Sequence, residues 1–245
     1  QVTRRGKIII SDSPLGLTCD DQDFTSRLSV AEISPIEERR EKYELKVGNY
    51  KEIDHILQSR SITFKNSQGA SMILDLVAGE EGIAFRYRFP DKGEKIRMVT
   101  DEITGFHIGK NATGWLQPYN EAGDYTPGYE DFYLPVNSGD PISNPRNPSV
   151  GWCMPALFHV NDNKNWVLIA ESGTDGSYPG CHLQPNSEGG LYQIAFAKED
   201  EKYSLPLAEK ANAYPASTLP WVMPWRVMII GDQAGDILLS TLVTD

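Results

Sequence analysis

The residue of this chain best placed to do chemistry is Glu171. It closes an apolar strand, Trp166-Val167-Leu168-Ile169-Ala170, and is followed by Ser172, Gly173, Asp175, Gly176, Pro179 and Gly180, the residue types of tight turns. A rigid strand that delivers one acid into such a loop can aim a ligand at a metal ion or a substrate. An acid at a strand end is more often simply solvated, so spacing alone does not decide. Calcium takes about six to eight oxygen ligands. No EF-hand pattern surrounds Glu171, so a calcium site there would have to draw on distant residues or on another domain.

A second candidate is the stretch from Gly114 to Gly151, which is dense in Gly, Pro, Asn and aromatics and too long for a plain connection. Glu121, Asp124, Glu130 and Asp131 lie there beside Trp115, Tyr119, Tyr125 and Tyr129. Rings can pack on the C–H face of a sugar while acids accept its hydroxyls; a loop packed on its own aromatics fits the same pattern. A glycosidase needs two carboxylates roughly 5–10 Å apart, and no local spacing fixes such a pair. The histidines (His55, His107, His159, His182) are scattered without zinc spacing, and His107 and His159 sit in apolar strands where packing is their better role. Nucleophile elbow, phosphate loop and dinucleotide fingerprint are all missing. Asn111-Ala112-Thr113 fits a glycosylation triplet of a kind that arises often by chance. Cys19, Cys153 and Cys181 show no metal spacing and read as buried or idle thiols, with a Cys153–Cys181 bridge as the alternative.

The elements that must position these residues are strands. Short apolar or alternating runs recur at Ser61–Phe64, Met72–Val77, Ile83–Phe89, Ile96–Val99, Gly105–Ile108, Ala156–Val160, Trp166–Ala170, Tyr192–Phe196, Arg226–Ile230 and Ile237–Ser240. Asn- and Gly-rich turns separate them, at Asn66–Gly69 and Asn161–Asn163 among others. Only Pro35–Val47 reads as helical, with one further turn at Ala208–Ala213. Strands at intervals of about ten residues without alternating helices predict an all-β antiparallel sandwich.

The 245 residues, 40% hydrophobic and 23% charged, are those of an ordinary globular chain that can bury a core. A net charge of −11 argues against nucleic acid and anionic membrane as partners. The mixed run Glu37–Lys42 reads as a solvated face. No apolar run approaches the ~18 residues of a membrane span. The chain opens without a leader sequence, which leaves the compartment open.

The order of motifs resembles the N-terminal domain of glycoside hydrolase family 97, bacterial α-glucosidases and α-galactosidases found largely in Bacteroidetes. The resemblance rests on Ser13-Pro14-Leu15-Gly16-Leu17, Gly82-Ile83-Ala84-Phe85-Arg86-Tyr87, Tyr129-Glu130, Glu171 before Tyr178-Pro179-Gly180, and Pro224-Trp225-Arg226-Val227. It implies one β super-sandwich like that of galactose mutarotase over residues 1–245, as a piece lacking one or two first strands and a downstream (β/α)8 catalytic barrel. The resemblance implies no catalytic residue in this chain and a partner in that barrel of the same polypeptide. It also implies Glu171 as a ligand of a shared calcium ion, an α-linked oligosaccharide substrate, and a periplasmic or extracytoplasmic address. Trp115, Tyr119, Tyr129 and Glu130 are the candidate sugar contacts. Ser172 and Met223 stand where the family usually has Ala and Thr. The alternatives are a free-standing carbohydrate-binding sandwich and a ligand-free scaffold.

Overall fold

The structure is a computed structural model that describes residues 1–46, 50–120, 131–144, 148–160, 162, 164–197 and 214–242. Its first half holds β1 (Val2–Arg4), β2 (Lys7–Ile10), β3 (Leu17–Cys19), β4 (Ser29–Ile33), β5 (Glu37–Glu44), β6 (Glu52–Lys65), β7 (Ser71–Ala78) and the 21-residue β8 (Gly82–Glu102). Then come β9 (Gly105–His107), β10 (Ala112–Leu116), β11 (Pro118–Asn120), β12 (Leu134–Asn137), β13 (Ser149–Trp152), β14 (Ala156–Val160) and β15 (Asn165–Ser172). The last elements are β16 (His182–Leu183), β17 (Leu191–Ala195), β18 (Ala216–Val222), β19 (Trp225–Gly231) and one short helix, α1 (Ala234–Leu239).

Apart from a two-stranded sheet of β1 and β2, the strands form two antiparallel layers, as the strand spacing predicts. The large sheet runs β12-β10-β14-β15-β19-β8-β7-β6-β4, with β3 and β18 also paired to β8 and β5 paired to β6. The small sheet runs β11-β13-β16-β17-β9. The length of β8 lets it serve four partners along its course: β19 and β7 near its start, β18 in the middle, β3 at its end.

Side-chain alternation decides which face each residue takes. In β14 the side chains of Ala156, Phe158 and Val160 are buried while Leu157 and His159 are half-buried on the other face. The core lies between the sheets, where Phe158 of the large sheet meets Tyr192 of the small one with ring centroids 4.7 Å apart. Burying a side chain of that size stabilises by about 1.5–3 kcal/mol. A smaller apolar patch, Leu57, Val77, Ala84, Val227 and Ile229, sits on the outward face of the large sheet under Ile237 of α1 and Leu242.

Three expectations from sequence are corrected. The segment expected to be helical at Pro35–Val47 holds β5, whose residues pair one for one with β6 from Glu37↔Ser59 to Glu44↔Glu52. Its charges alternate without an apolar stripe of helical period, and β6 supplies the hydrogen bonds. Conversely, Ile237–Leu239, expected in a strand, lies in α1, whose start is held by Asp236 Oδ2 accepting the Asp232 and Gln233 N–H groups at 2.8 and 3.1 Å. A four-residue apolar run carries too little period to separate the two forms. The stretch Gly114–Gly151, expected as one long loop, contains β11, β12 and most of β10 and β13. The expected turn at Ala208–Ala213 lies outside the described residues.

Candidate functional site

Val167, Ile169 and Glu171 of β15 share one parity, and the two apolar members are fully buried. Glu171 therefore points into the sandwich at its rim rather than out to solvent. Directly opposite on β19 stands Arg226, whose inward neighbours on that strand are Met228 and Ile230. Beyond Ser172 the chain turns through Gly173 (φ 72°) and Gly176 (φ 86°), left-handed backbone that suits glycine. Asp175 braces this turn: its Oδ1 accepts the Ser177 amide at 2.9 Å and the Ser177 hydroxyl at 2.7 Å, which holds its carboxyl below the usual range. The Ser177 hydroxyl in turn accepts the Trp221 indole N–H at 2.8 Å. The turn thus returns Tyr178 to the core and Cys181 beneath Glu171.

A buried ionic cluster results. Arg226 donates from Nε and Nη2 to the two oxygens of Glu102 at 3.0 and 2.6 Å, and from Nη1 to Glu171 Oε2 at 2.7 Å. The Tyr178 hydroxyl donates to Glu102 Oε2 at 2.6 Å, and the Cys181 amide donates to Glu171 Oε1 at 2.9 Å. The side chains of Arg226 and Glu102 are 2% and 1% exposed, whereas that of Glu171 is 16% exposed, so Glu171 is the arm that reaches water. Two carboxylates share one guanidinium, leaving one negative charge in excess when both are ionised. Burial pushes the Glu171 carboxyl above its usual value, against the pull of Arg226. Burial likewise pushes the Tyr178 hydroxyl well up, so it remains a donor.

Beside this cluster lies a cleft of about 220 Å³ lined by Gln117, Tyr119, Cys153, Met154, Gly180 and Cys181. Gly180 and Cys181 link it to Glu171. Tyr119 stacks on His182 with ring centroids 4.0 Å apart and planes 8° from parallel. A larger hollow, about 400 Å³ beside Arg4 and Glu80, holds none of the candidate residues.

The structure therefore brings Glu171 and Tyr119 to one rim. It does not bring Trp115 there: that ring lies on the outward face of the large sheet, stacked on Trp166. Tyr129 and Glu130, with Glu121, Asp124 and Tyr125, lie outside the described residues. Their flanks are tied together, since Asn120 donates to the Asp131 carboxylate at 2.8 Å. Glu102 had no signal in sequence, where the strand reads as ending at Val99. Arg226 had one, a lone cation at an inward position of an apolar run. All three cysteines are free and buried, as read from sequence; the alternative Cys153–Cys181 bridge is not made, and burial pushes each thiol up to about 12.

Whether calcium fits can be judged from the donors present. Each Glu171 oxygen accepts one hydrogen bond and so retains a lone pair, and the excess negative charge favours a cation. Among the described residues no three His, Cys, Asp or Glu side chains are grouped to hold a metal ion. The cluster fits one arm of an oxygen site and cannot complete it.

Known proteins share this arrangement of strands. The profile described as glycosyl-hydrolase 97 N-terminal matches residues 1–245. A probable retaining alpha-galactosidase of Streptomyces bingchenggensis (strain BCW-1) is 28% identical over 247 residues, covering 100% of this chain and 33% of its own length. The crystal structure of a beta-arabinopyranosidase superposes with a TM-score of 0.85 at 28% identity, over 97% of this chain and 37% of that one. A glycoside hydrolase family 97 enzyme from Pseudoalteromonas sp. strain K8, solved in complex with acarbose, superposes at 0.76 with 19% identity, over 97% of this chain and 33% of that one, a likeness of fold. The chain spans about a third of the length of these relatives. It belongs to the N-terminal domain family of glycoside hydrolase family 97.

Proposed function

We propose that this sandwich is the non-catalytic domain of a calcium-dependent glycosidase and that Glu171 supplies one ligand to a calcium ion shared with a downstream catalytic barrel. The observation that carries the reading is the Glu171 carboxylate itself. It is aimed by its strand, held by Arg226 and the Cys181 amide, set at the rim beside a cleft, and shares its one cation with Glu102. In this role Arg226 and Glu102 fix the direction of Glu171. A bound calcium ion would supply positive charge that orients the domains and tunes a neighbouring acid. Tyr119 is the sugar contact nearest that rim.

The substrate class follows the relatives at 28% identity, named for α-galactoside and β-arabinopyranoside hydrolysis. α-D-Galactopyranosides and β-L-arabinopyranosides share ring configuration, which supports a galacto-configured sugar for the whole protein. An extracytoplasmic address suits buried, unreactive thiols.

The test uses the protein with its barrel. Glu171→Gln is expected to abolish the recovery of nitrophenyl α-galactoside hydrolysis when calcium is restored after chelation. Unchanged calcium dependence removes Glu171 from the site. Turnover of that substrate by residues 1–245 alone would overturn the non-catalytic assignment.

A further inference from the structure

Two tryptophans stand outside both apolar clusters. Trp115 and Trp166 stack with ring centroids 5.2 Å apart and planes 26° from parallel, and His159 closes on Trp166 at 4.7 Å. All three are half-buried on the outward face of the large sheet, in neither the main core nor the patch under α1.

Strand register shows what surrounds them. Asn137 lies opposite Thr113, Thr113 opposite His159, and His159 opposite Trp166. Residues directly opposite in antiparallel strands share a face, so one row across β12, β10, β14 and β15 presents an amide, a hydroxyl, an imidazole and an indole. The adjacent row on that face is Pro135, Trp115, Leu157 and Leu168. At about 4.8 Å per strand each row spans roughly 14 Å, the length of some two or three sugar rings. Neither row holds a carboxylate, an ammonium or a guanidinium. No described residue hydrogen-bonds the Thr113 hydroxyl, the His159 ring or either indole N–H. The floor is thus aromatic, uncharged and fringed with donors and acceptors at strand spacing.

We propose that this face is a surface binding site for a neutral oligosaccharide, distinct from the Glu171 rim. Pyranose C–H faces pack on the Trp115 and Trp166 pair, and His159 and Thr113 bond the hydroxyls, while Asn137 at the edge of the row is held by its amide donating to Asp140 Oδ2 at 3.1 Å. The charge-free rows disfavour uronic or sulfated sugars, and a platform four strands across and only two rows deep favours an extended glycan over a protein interface, which needs about 800 Å² from each partner. Trp166 and Glu171 are five residues apart on β15, roughly 17 Å, and face opposite sides of the sheet. The site therefore does not depend on the calcium reading.

The test is a tryptophan-fluorescence titration of the chain with maltoheptaose and with stachyose, alongside its migration in gels containing soluble glucan or galactomannan. Saturable quenching by at least one sugar is expected. Trp115→Ala and Trp166→Ala are each expected to weaken it about tenfold or more, and His159→Ala severalfold, with thermal midpoints retained. Trp166→Phe keeps a ring and is expected to keep binding, so it carries the test if the alanine variant does not fold. Leu238→Ala, on the exposed side of α1 and away from both sites, is expected to bind as wild type. Silence with every sugar overturns the site. So does binding that survives the loss of both tryptophans, or that falls with Tyr119→Ala instead. A self-associated chain that Trp166→Ala disperses would make this face an interface and overturn the proposal equally.

Discussion

Strand β15 carries two chemistries at its two ends, and they differ in how their polar groups are held. At the start, Trp166 faces outward, half-buried, its indole N–H without a partner among the described residues. At the end, Glu171 faces inward among charged groups that each have several partners. Alternation alone assigns the faces, because residues 166 and 171 have opposite parity. The difference lies in what burial demands. Inside the rim a charge must be matched or it destabilises the fold, so the Glu171 end is tied to stability. On the outer face the surroundings demand little, and the side chains there remain available for a ligand.

Removing Arg226 should separate the two ends most sharply. Arg226→Met strands Glu102, 1% exposed, without its cation. Loss of one partner from a buried pair costs about 3–5 kcal/mol, to be read from urea unfolding. A loss below about 1 kcal/mol would mean that the rim is wetter than its geometry indicates. Tyr178→Phe removes one donor from Glu102 Oε2 and is expected to cost about 1–3 kcal/mol. At the other end, Trp166→Ala opens no cavity between the sheets and is expected to stay within about 1 kcal/mol of wild type. A larger drop would make that stack a structural element and blur the comparison.

Much of this was legible in sequence, and the rest was hidden for physical reasons. The strands of the main core announce themselves because one face of each is apolar, as in Met72–Val77 and Ala156–Val160. Glu171 was legible because a carboxylate ending an apolar run before turn residues breaks the local pattern. Its partner Glu102 was not, since it lies 69 positions away in sequence and only the pairing of β8 with β19 and β3 brings it near. The aromatic face was half visible. Trp115 was marked as a sugar contact, but its company is Trp166 and His159 rather than Tyr119, because β10 places residue 115 outward and Tyr119 belongs to the other sheet. Strand β5 was misread because its sequence is polar on both faces, so only its partner β6 shows what it is.

The smallest expected effect bears most directly on the excess charge at the rim. Burial raises the Glu171 carboxyl above its ordinary value of 4.5. A raised carboxyl binds its proton more tightly in the folded chain than in the unfolded one. Its contribution to stability is therefore full below that ordinary value and is lost as pH rises through the folded value. Glu171→Gln removes this dependence while keeping one acceptor at the same place. Near pH 4 the protonated wild-type carboxyl and the glutamine amide each offer one carbonyl acceptor, so the two proteins should lie close in stability. Towards neutrality the difference should move in favour of the glutamine variant, measured as paired urea midpoints across the pH range. Movement in the opposite sense would show that Arg226 fully compensates Glu171. The rim would then hold no unmatched charge, and the electrostatic support for a cation there would be gone.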